Sequence, residues 1–409
     1  MITASTGDEN AAQQPDQELM KQADSTVQTR ALVVGGGPVG WSSALALAGA
    51  GLETVLVARD EPDEDHRTIA LMQGSLSFLG GLGIAAAEIE DATPLETIRL
   101  IDATSRLIRA PEVSFHAREI GHSCFALNIP VSGLVKRIQQ TASTVSNLDH
   151  KSGFVTDISL TDGVTVTLDD GRSINADLIV GADGRYSTVR TSAGISVRQW
   201  DYPQTAFITH FHHQVPHHNI STEFHTETGP FTLVPLQGDR SSLVCVVTPD
   251  EAANLMQLPE TALARELERR SHHLLGKLSE FGARQSFPMS SLIAAKMADG
   301  RAFLVGESGH AFPPIGAQGL NLGMRDIKEL ATQLAGLHPV DVFQAAARYS
   351  RRRSFDVNSR TYGVDMLNRS LLSGLLPVQM ARGLGLYAAK SFSPLRRTLM
   401  RQGLGAYSN

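Results

Sequence analysis

The stretch Ala31-Leu-Val-Val-Gly-Gly-Gly-Pro-Val-Gly40 decides the fold. Its first four residues form a short apolar run, which is typical of a buried parallel strand. The residues from Trp41 to Gly51 are rich in Ala and Leu and predict a helix, and Thr54-Val-Leu-Val57 predicts a second buried strand. A strand, a glycine turn, a helix and a second strand within about thirty residues form the unit that binds a nucleotide pyrophosphate.

The glycines of this turn follow the spacing Gly35-x-Gly37-x-x-Gly40. Gly35 permits the tight turn, Gly37 lets the backbone approach the pyrophosphate, and Gly40 lets the helix pack closely on the strand. N–H groups at the start of the helix then face the phosphates. The motif also expects an acid about twenty residues later. The second strand ends instead at Ala58, and Arg59 and Asp60 follow it.

A second strand-and-glycine stretch begins at Asp177. Asp177-Leu-Ile-Val180 predicts a buried strand, and Gly181-Ala-Asp-Gly184 follows it directly. Asp183 therefore stands at the carboxyl edge of a strand, where ligands bind in this class of fold. The alternative is an Asp-Gly turn in which Asp183 forms a structural pair with an arginine.

A third stretch begins with the predicted strand Ala302-Phe-Leu-Val305 and continues as a glycine-rich segment from Gly306 to Asn321. Its glycines prevent an early regular helix and let the backbone approach a flat ligand. Pro313 and Pro314 stiffen the turn. Asn321 lies where a helix begins, and a helix N-terminus stabilises negative charge on a ligand.

These patterns predict an α/β protein: a Rossmann-like domain with an inserted antiparallel-sheet domain and a C-terminal helical region. Residues 200–290 alternate in the manner of antiparallel strands. We predict a disordered tail at 1–29, a discontinuous nucleotide-binding domain at 30–105, 126–195 and 291–340, a substrate-binding sheet domain at 106–125 and 196–290, and helices at 341–409.

The composition excludes several classes of protein. The net charge of -6 gives no indication of a nucleic-acid partner. The two cysteines, Cys124 and Cys245, are far apart and form no C-x-x-C, which excludes flavin disulfide reductases and cysteine-rich metal sites. Six histidines lie between His210 and His225, but no carboxylate joins them at ligand spacing, so we predict a polar strand face and no metal. The N-terminus lacks a basic start and an apolar run, which favours a cytoplasmic protein.

The last seventy residues differ from the rest in charge. From Asp341 to Asn409 there are 11 Arg or Lys and 3 Asp, together with apolar patches near Leu371 and Leu384. Pro377, Arg382 and Lys390 interrupt the region, so it does not predict a spanning helix. Basic, amphipathic helices favour peripheral contact with the inner face of a membrane. The alternative is that the leucines pack the last helices onto the nucleotide-binding domain.

Taken together and in this order, the three motifs resemble those of the FAD-dependent aromatic-ring hydroxylases, the family typified by p-hydroxybenzoate hydroxylase. Gly181 to Arg190 resembles the family's "DG" motif, and Gly306 to Asn321 resembles its "GD-x-x-H-x-x-x-P-x-x-G-x-G-x-N" motif. The ubiquinone-biosynthesis branch is similar at further positions: Asp65-His-Arg67, Thr68 to Leu71, His217 to Phe224, Gly229 to Leu236, Tyr349, Arg353 and Asp356.

The resemblance implies FAD as cofactor, NAD(P)H or another electron donor, dioxygen, and an aromatic substrate, most naturally a polyprenylated phenol of ubiquinone synthesis. It implies cofactor-binding residues at Gly35, Gly37, Pro38, Gly40, Arg59, Arg67, Asp183, Gly184, Gly306, Glu307, Pro314, Gly316, Gly319, Leu320 and Asn321. Pro313 and Pro314 would lie beneath the reacting ring. The strands near His210 and Phe231 would cover it.

Two departures from the family leave other functions open. The family's aspartate after Gly306 is Glu307 here, and the acid expected at Ala58 is absent. Both favour a degenerate flavin-binding or scaffold protein as one alternative. A hydroxylase of a soluble aromatic compound is another, and a homo-oligomer or a biosynthetic complex stays open as well.

Overall fold

The computed structural model describes residues 26–60, 67–106, 109–314, 316–336, 338, 341–372 and 376–404. Its strands are β1 (Thr26–Val34), β2 (Thr54–Ala58), β3 (Thr68–Met72), β4 (Thr93–Leu95), β5 (Thr97–Asp102), β6 (Val113–His116), β7 (Ala126–Pro130), β8 (Leu148–Ser152), β9 (Val155–Ser159), β10 (Val164–Leu168), β11 (Ser173–Gly181), β12 (Val197–His213), β13 (Ile220–His225), β14 (Pro230–Leu236), β15 (Arg240–Val247), β16 (Leu278–Ser279), β17 (Gln285–Ala294), β18 (Ala298–Asp299), β19 (Ala302–Leu304) and β20 (His310–Ala311). Its α-helices are α1 (Pro38–Gly49), α2 (Gln73–Gly81), α3 (Val131–Ala142), α4 (Thr188–Ser192), α5 (Pro249–Gln257), α6 (Glu260–Arg270), α7 (Gln318–Leu334), α8 (Val342–Leu372), α9 (Leu376–Ser391) and α10 (Ser393–Leu404).

The first sheet has the strand order β18-β19-β11-β1-β2-β8, and β10 and β9 extend it from β11. The strands from β19 to β8 run parallel. Residues of β1 and β2 are buried on both faces, as the continuous apolar runs predict. Helices α1, α3 and α7 pack beside this sheet in one apolar core. The predicted Rossmann-like α/β fold is confirmed.

The second sheet is mostly antiparallel and has the order β20-β17-β12-β15-β14-β13-β5-β6. Its outer face is apolar and packs against α5 and α6. Phe207, Phe231 and Leu243 of the sheet meet Leu255 and Leu263 of the helices in one buried cluster. The opposite, inner face contacts a third, three-stranded sheet of order β3-β7-β4, because Ser242 Oγ lies 3.3 Å from Thr68 Oγ1 of β3.

The observed strands shift three of the predicted boundaries. β1 begins at Thr26 and pairs with β11 from there, so the last four residues of the predicted tail belong to the first sheet. β5 pairs with β13 in the second sheet, although it was predicted in the nucleotide-binding domain. β17 continues to Ala294 and pairs with β20, so the second sheet reaches the start of the glycine-rich segment. In each case the pairing partner is remote in sequence, and the strand pattern alone does not identify it.

The long helix α8 connects the two sheets. Near its start Tyr349 donates a hydrogen bond to the carbonyl of Leu304 at 2.7 Å. Near its end Asp365 accepts one from the hydroxyl of Tyr202, on β12, at 2.7 Å. One helix is thus bonded to a strand of each sheet.

The last two helices return across the second sheet. In α10, Arg396 forms an ion pair with Glu119 at 2.7 Å. Met400 is buried beside Ala117 and Phe125, with Ile98 of β5 packed against the same cluster. The predicted C-terminal helices are therefore present, and part of α10 packs on the body of the protein.

We expect Gly40→Ala to destabilise the protein and to abolish flavin binding, because the added Cβ would lie 1.8 Å from the carbonyl oxygen of Gly35. Gly49→Ala is the matched control on the same helix. Gly49 is exposed, no described atom lies within 4 Å of an added Cβ, and alanine should stabilise the helix by up to about 1 kcal/mol. Thermal melting and flavin content of both variants check this. Equal melting temperatures would contradict the close packing of α1 on the turn.

Candidate active site

The turn between β1 and α1 has the geometry of a phosphate-binding loop. Gly35 adopts φ 127°, and a Cβ there would lie 2.2 Å from the carbonyl oxygen of Ala182. Gly37 is the N-cap of α1, Pro38 follows at its first turn, and no side chain of the described residues caps this helix. No described atom lies within 4 Å of a Cβ added at Gly37. The N–H groups of the first turn and the space in front of them are therefore available to an anion.

Asp183 uses one carboxylate oxygen within the protein and leaves the other without a partner among the described residues. Its Oδ2 accepts the backbone N–H groups of Thr188 at 2.7 Å and Val189 at 3.2 Å, which caps the short helix α4. Its Oδ1 is buried and has no hydrogen-bond partner among the residues that the structure describes. Arg190 does not form the alternative pair, since its guanidinium donates to the carbonyls of Ser308 and Arg185. A ligand hydroxyl at this edge would satisfy the second carboxylate oxygen.

The position of the expected acid is occupied by a small buried residue. A Cβ added at Gly36 would lie 2.9 Å from the Cβ of Ala58, so Ala58 lines the turn closely. The guanidinium of Arg59 lies 3.9 Å from the ring centroid of Phe154. Asp60 is exposed and makes no hydrogen bond or ion pair within the described ranges. Arg67, at the start of β3, is also exposed.

The glycine-rich segment leaves β19 through a tight turn at Gly306, which has φ 60°. Its N–H donates to Asp326 Oδ2 at 2.9 Å. Ser308 is buried and its hydroxyl bonds the carbonyl of Gly181. Glu307 between them is exposed, and within the described part of the chain its carboxylate has no partner. The residue that replaces the family's aspartate is thus directed outward from the turn.

A buried charge network lies behind this turn. Asp326 on α7 bonds His310 Nε2 at 2.6 Å and Arg353 Nε at 2.7 Å, and the three side chains are almost fully buried. Burial would raise the pKa of the Asp326 carboxyl, but His310 and Arg353 outweigh it and lower this pKa. Burial raises the pKa of Tyr349 beside the network. His310 is therefore occupied as a structural partner of Asp326.

The end of the glycine-rich segment leads into α7. Pro313 is buried and Pro314 is exposed. Gly316 has φ 68° and α7 begins after it with an N-terminus that no described side chain caps. Gly319 has open space at its Cβ position, and Leu320 is buried.

The side chain of Asn321 is fully used within the protein. It accepts from Met72 N at 2.9 Å and Ser75 Oγ at 2.7 Å, and it donates to the carbonyls of Ala70 and Ala317. It therefore ties β3 to α7, and contact with a cofactor through this side chain is left to be tested.

A row of half-buried residues crosses the inner face of the second sheet. Register places Ile208, Val244, Thr232, Glu223 and Leu100 side by side on five neighbouring strands. Each is of intermediate exposure, whereas the alternate residues of these strands are mostly buried on the outer face. Ser242 lies on the same face as this row, and its hydroxyl contacts that of Thr68 on β3 at 3.3 Å.

Two segments predicted to cover a ring contribute to this face only through alternate residues. Of the first segment, Ile208 and His210 lie on the inner face, and Phe207 points outward into the core. The ring of His210 packs over Gly282, where a Cβ would lie 2.0 Å from it. Of the second segment, Thr232 and Val234 face inward and Phe231 outward.

The other histidines of this region make separate contacts. The rings of His213 and His217 lie 5.5 Å apart, and their Nε2 atoms bond the Ser241 hydroxyl and the Leu236 carbonyl. His225 bonds Glu223 at 2.9 Å. Among the described residues, no group of three or more His, Cys, Asp or Glu side chains is placed to hold a metal ion.

These features define a class of protein. A parallel sheet carries the Gly35–Gly40 phosphate turn, and an acid with an orphaned oxygen lies at the neighbouring strand edge. A second sheet joins the glycine-rich segment through β20. Together these features make a dinucleotide-dependent enzyme fold. The donors available in the turn fit a pyrophosphate, and the buried Oδ1 of Asp183 fits a hydroxyl of the ligand.

Comparisons with known proteins identify the family. The FAD binding domain family matches residues 28–347, and the chain belongs to it. Ubiquinone hydroxylase UbiL of Rhodospirillum rubrum is 32% identical over 384 residues, which are 91% of this chain and 89% of that protein. The 3-demethoxyubiquinol 3-hydroxylase of Escherichia coli is 27% identical over 391 residues, which are 92% of this chain and 98% of that one. FAD as the cofactor and an FAD-dependent aromatic monooxygenase as the class of enzyme are confirmed.

The likeness extends to solved structures. The crystal structure of p-nitrophenol 4-monooxygenase PnpA from Pseudomonas putida matches with a TM-score of 0.75 at 18% identity. The match covers 94% of this chain and 100% of that one. At this identity the likeness concerns the fold, and it supports the predicted arrangement of two sheets and C-terminal helices.

We expect Asp183→Asn to weaken FAD binding by about 1–3 kcal/mol, because a charged acceptor facing the ligand is lost. The amide oxygen can still accept the N–H groups of Thr188 and Val189, so α4 should stay capped. Titration of the apoprotein with FAD measures the first effect, and thermal melting of the apoprotein checks the second. If FAD affinity is unchanged, Asp183 serves the turn alone.

Proposed function

We propose that this protein uses FAD to insert one oxygen atom of dioxygen into the ring of a polyprenylated phenol, an intermediate of ubiquinone biosynthesis. The observation that carries the proposal is the half-buried, mostly apolar row on the inner face of the second sheet. NAD(P)H or another donor would supply the electrons. The names of the relatives from Rhodospirillum rubrum and Escherichia coli support the substrate class.

Different residues of the chain would bind the cofactor and the substrate in such a reaction. Gly35, Gly37 and Gly40 would admit the pyrophosphate, and Asp183 would hold a hydroxyl of the cofactor. Bound FAD, once reduced, supplies the activation of dioxygen. The apolar members of the inner row, with Pro313, would hold the aromatic ring and exclude water, which protects the reactive oxygen from wasteful decay.

The test of this function is a deletion of the gene in its own host, followed by quinone profiling. We expect ubiquinone to fall and a polyprenylated phenol that lacks one oxygen atom to accumulate, with recovery by the intact gene but not by a Gly37→Val variant. The purified protein should be yellow from bound flavin. A purified protein that folds but is colourless would favour the degenerate scaffold. An unchanged quinone profile would favour a soluble aromatic substrate.

We also propose that α9 and α10 attach the enzyme to the inner face of a membrane, where such a substrate resides. Residues 376–404 contain five Arg or Lys and no Asp or Glu. Leu384, Tyr387 and Phe392 are 66%, 61% and 59% exposed. Exposed apolar side chains beside exposed cations suit an anionic lipid surface. Among the described helices, none is long and apolar enough to cross a bilayer.

Part of the basic charge of this region is engaged inside the protein. Arg353 is buried in the network with Asp326, so the arginines at 351–353 are not a uniformly solvated face. Arg360 and Arg369 pair with acids on their own helix, and Arg396 pairs with Glu119. The electrostatic attraction is therefore assigned to α9 and α10, with Arg397 and Arg401 as its exposed cations on α10. A homo-oligomer or a biosynthetic complex stays a prediction.

We expect the double change Arg397→Gln and Arg401→Gln to weaken binding to anionic vesicles roughly tenfold or more, since each basic residue near such a surface contributes about 1 kcal/mol. Binding should also weaken as salt rises. The matched control is Arg265→Gln with Lys328→Gln, which removes two exposed charges far from these helices. Cosedimentation with vesicles measures binding. Equal loss in both double variants, or binding that ignores salt and lipid charge, would contradict electrostatic attachment.

A further inference from the structure

Two titratable side chains form a pair on the inner sheet face. Glu223 and His225 alternate on β13, so both point to the inner face. His225 Nε2 lies 2.9 Å from Glu223 Oε1, and the two side chains are 7% and 18% exposed, respectively. Glu223 is a member of the half-buried row.

The neighbours of Glu223 in this row are mostly apolar. Leu100 lies beside it on β5, and Thr232 lies beside it on β14 with its hydroxyl 3.4 Å from Glu223 Oε2. Val244 and Ile208 continue the row. A carboxylate in such a wall loses hydration, so it is stable only if other groups bond it. His225 bonds one oxygen, and the other faces the row with only a long contact to Thr232.

Other charged groups approach the pair from the adjoining elements. Asp102 is the register partner of His225 on β5, and its two oxygens accept the N–H groups of Thr104 and Ala110. Glu227, in the loop after β13, bonds Ser105. His210 lies on the same face, on β12. Of these three acids, Glu223 is the one that belongs to the half-buried row.

We propose that Glu223 binds the ring hydroxyl of the phenolic substrate and accepts its proton during oxygen transfer, and that His225 is a positioning residue for this carboxylate. The inference rests on the proposed function. A phenol is too weak an acid to give its proton fully to a carboxylate in the ground state. As the ring carbon attacks oxygen, however, the ring hydroxyl becomes strongly acidic, and a bonded carboxylate can then remove its proton.

Each bond that forms in this step is matched by one that breaks. The new C–O bond forms with an electron pair of the ring, while the O–O bond of the dioxygen activated by the reduced flavin breaks. The second oxygen atom keeps the electron pair of that bond and leaves as water, and NAD(P)H or another donor supplies the two electrons through the flavin. The O–H bond of the ring hydroxyl breaks, its proton passes to Glu223 Oε2, and the ring oxygen becomes a carbonyl. The newly hydroxylated carbon then loses its proton to water, and the carbonyl oxygen takes back the proton from Glu223, which restores the aromatic phenol.

The experiment compares a phenol that carries a short isoprenoid chain with its methyl ether, which has no hydroxyl proton. The wild-type holoenzyme should hydroxylate the phenol about a hundredfold or more faster than the ether. Glu223→Gln should lose this preference and should slow the phenol reaction by roughly 10²–10⁴ in kcat, with normal FAD content. His225→Asn should lower kcat for the phenol more than for the ether, and Glu223→Asp should restore part of the preference.

A binding measurement and a control complete the test. By calorimetry the wild-type protein should bind the phenol roughly tenfold or more tightly than the ether, and Glu223→Gln should bind the two equally. Glu280→Gln breaks a solvent-exposed His–Glu contact elsewhere in the protein and should change nothing. If the wild-type enzyme hydroxylates the phenol and the ether at about the same rate, the proposal is overturned, even where Glu223→Gln fails to fold. An active wild type with an unaffected Glu223→Gln overturns the role of Glu223 alone, whereas an FAD-loaded wild type that hydroxylates no phenol overturns the proposed function as well.

Discussion

The carboxylate of Asp326 is the contact on which the site depends. It accepts the N–H of Gly306 at 2.9 Å, the ring of His310 at 2.6 Å and the guanidinium of Arg353 at 2.7 Å. These partners belong to the turn after β19, to the edge strand β20 of the second sheet and to α8. One buried side chain therefore fixes the glycine-rich segment, the substrate sheet and the connecting helix relative to one another. Removal of one partner of such a buried pair typically costs about 3–5 kcal/mol.

The network continues from Asp326 toward the start of α7. Arg353 also bonds Asp356, Asp356 bonds Arg360, and Arg360 reaches Gln318 at the first turn of α7. Burial would raise the pKa of Asp356, but Arg353 and Arg360 outweigh it, and this pKa is lowered as that of Asp326 is. A carboxyl whose folded pKa is lowered stabilises the fold above its unfolded value, here 3.8, and loses that contribution only as the pH falls through the lower folded value. These two carboxylates therefore stay ionised throughout the neutral range.

The sequence was sufficient for the parts of the fold that local rules decide. Gly35 and Gly40 predict the phosphate turn because no larger residue fits there. The apolar runs at β1, β2 and β11 predict buried parallel strands. Local sequence patterns do not identify partners that are remote in the chain: Arg396 forms its ion pair with Glu119, 277 positions away. Alternation in β12 and β14 separates two faces but does not say which one meets the flavin domain, so Ile208 and Phe207 could not be distinguished. The i, i+2 spacing of Glu223 and His225 on one strand is a readable signal for their pairing, which the prediction of a merely polar strand face does not include.

The length of α8 has a mechanical consequence. A helix of 31 residues is roughly 46 Å long, and this one is bonded at one end to β19 and at the other to β12. The helix holds the first and second sheets at a fixed separation. A hinge motion that opened the site between them would therefore have to break the ion pair between Asp326 and Arg353.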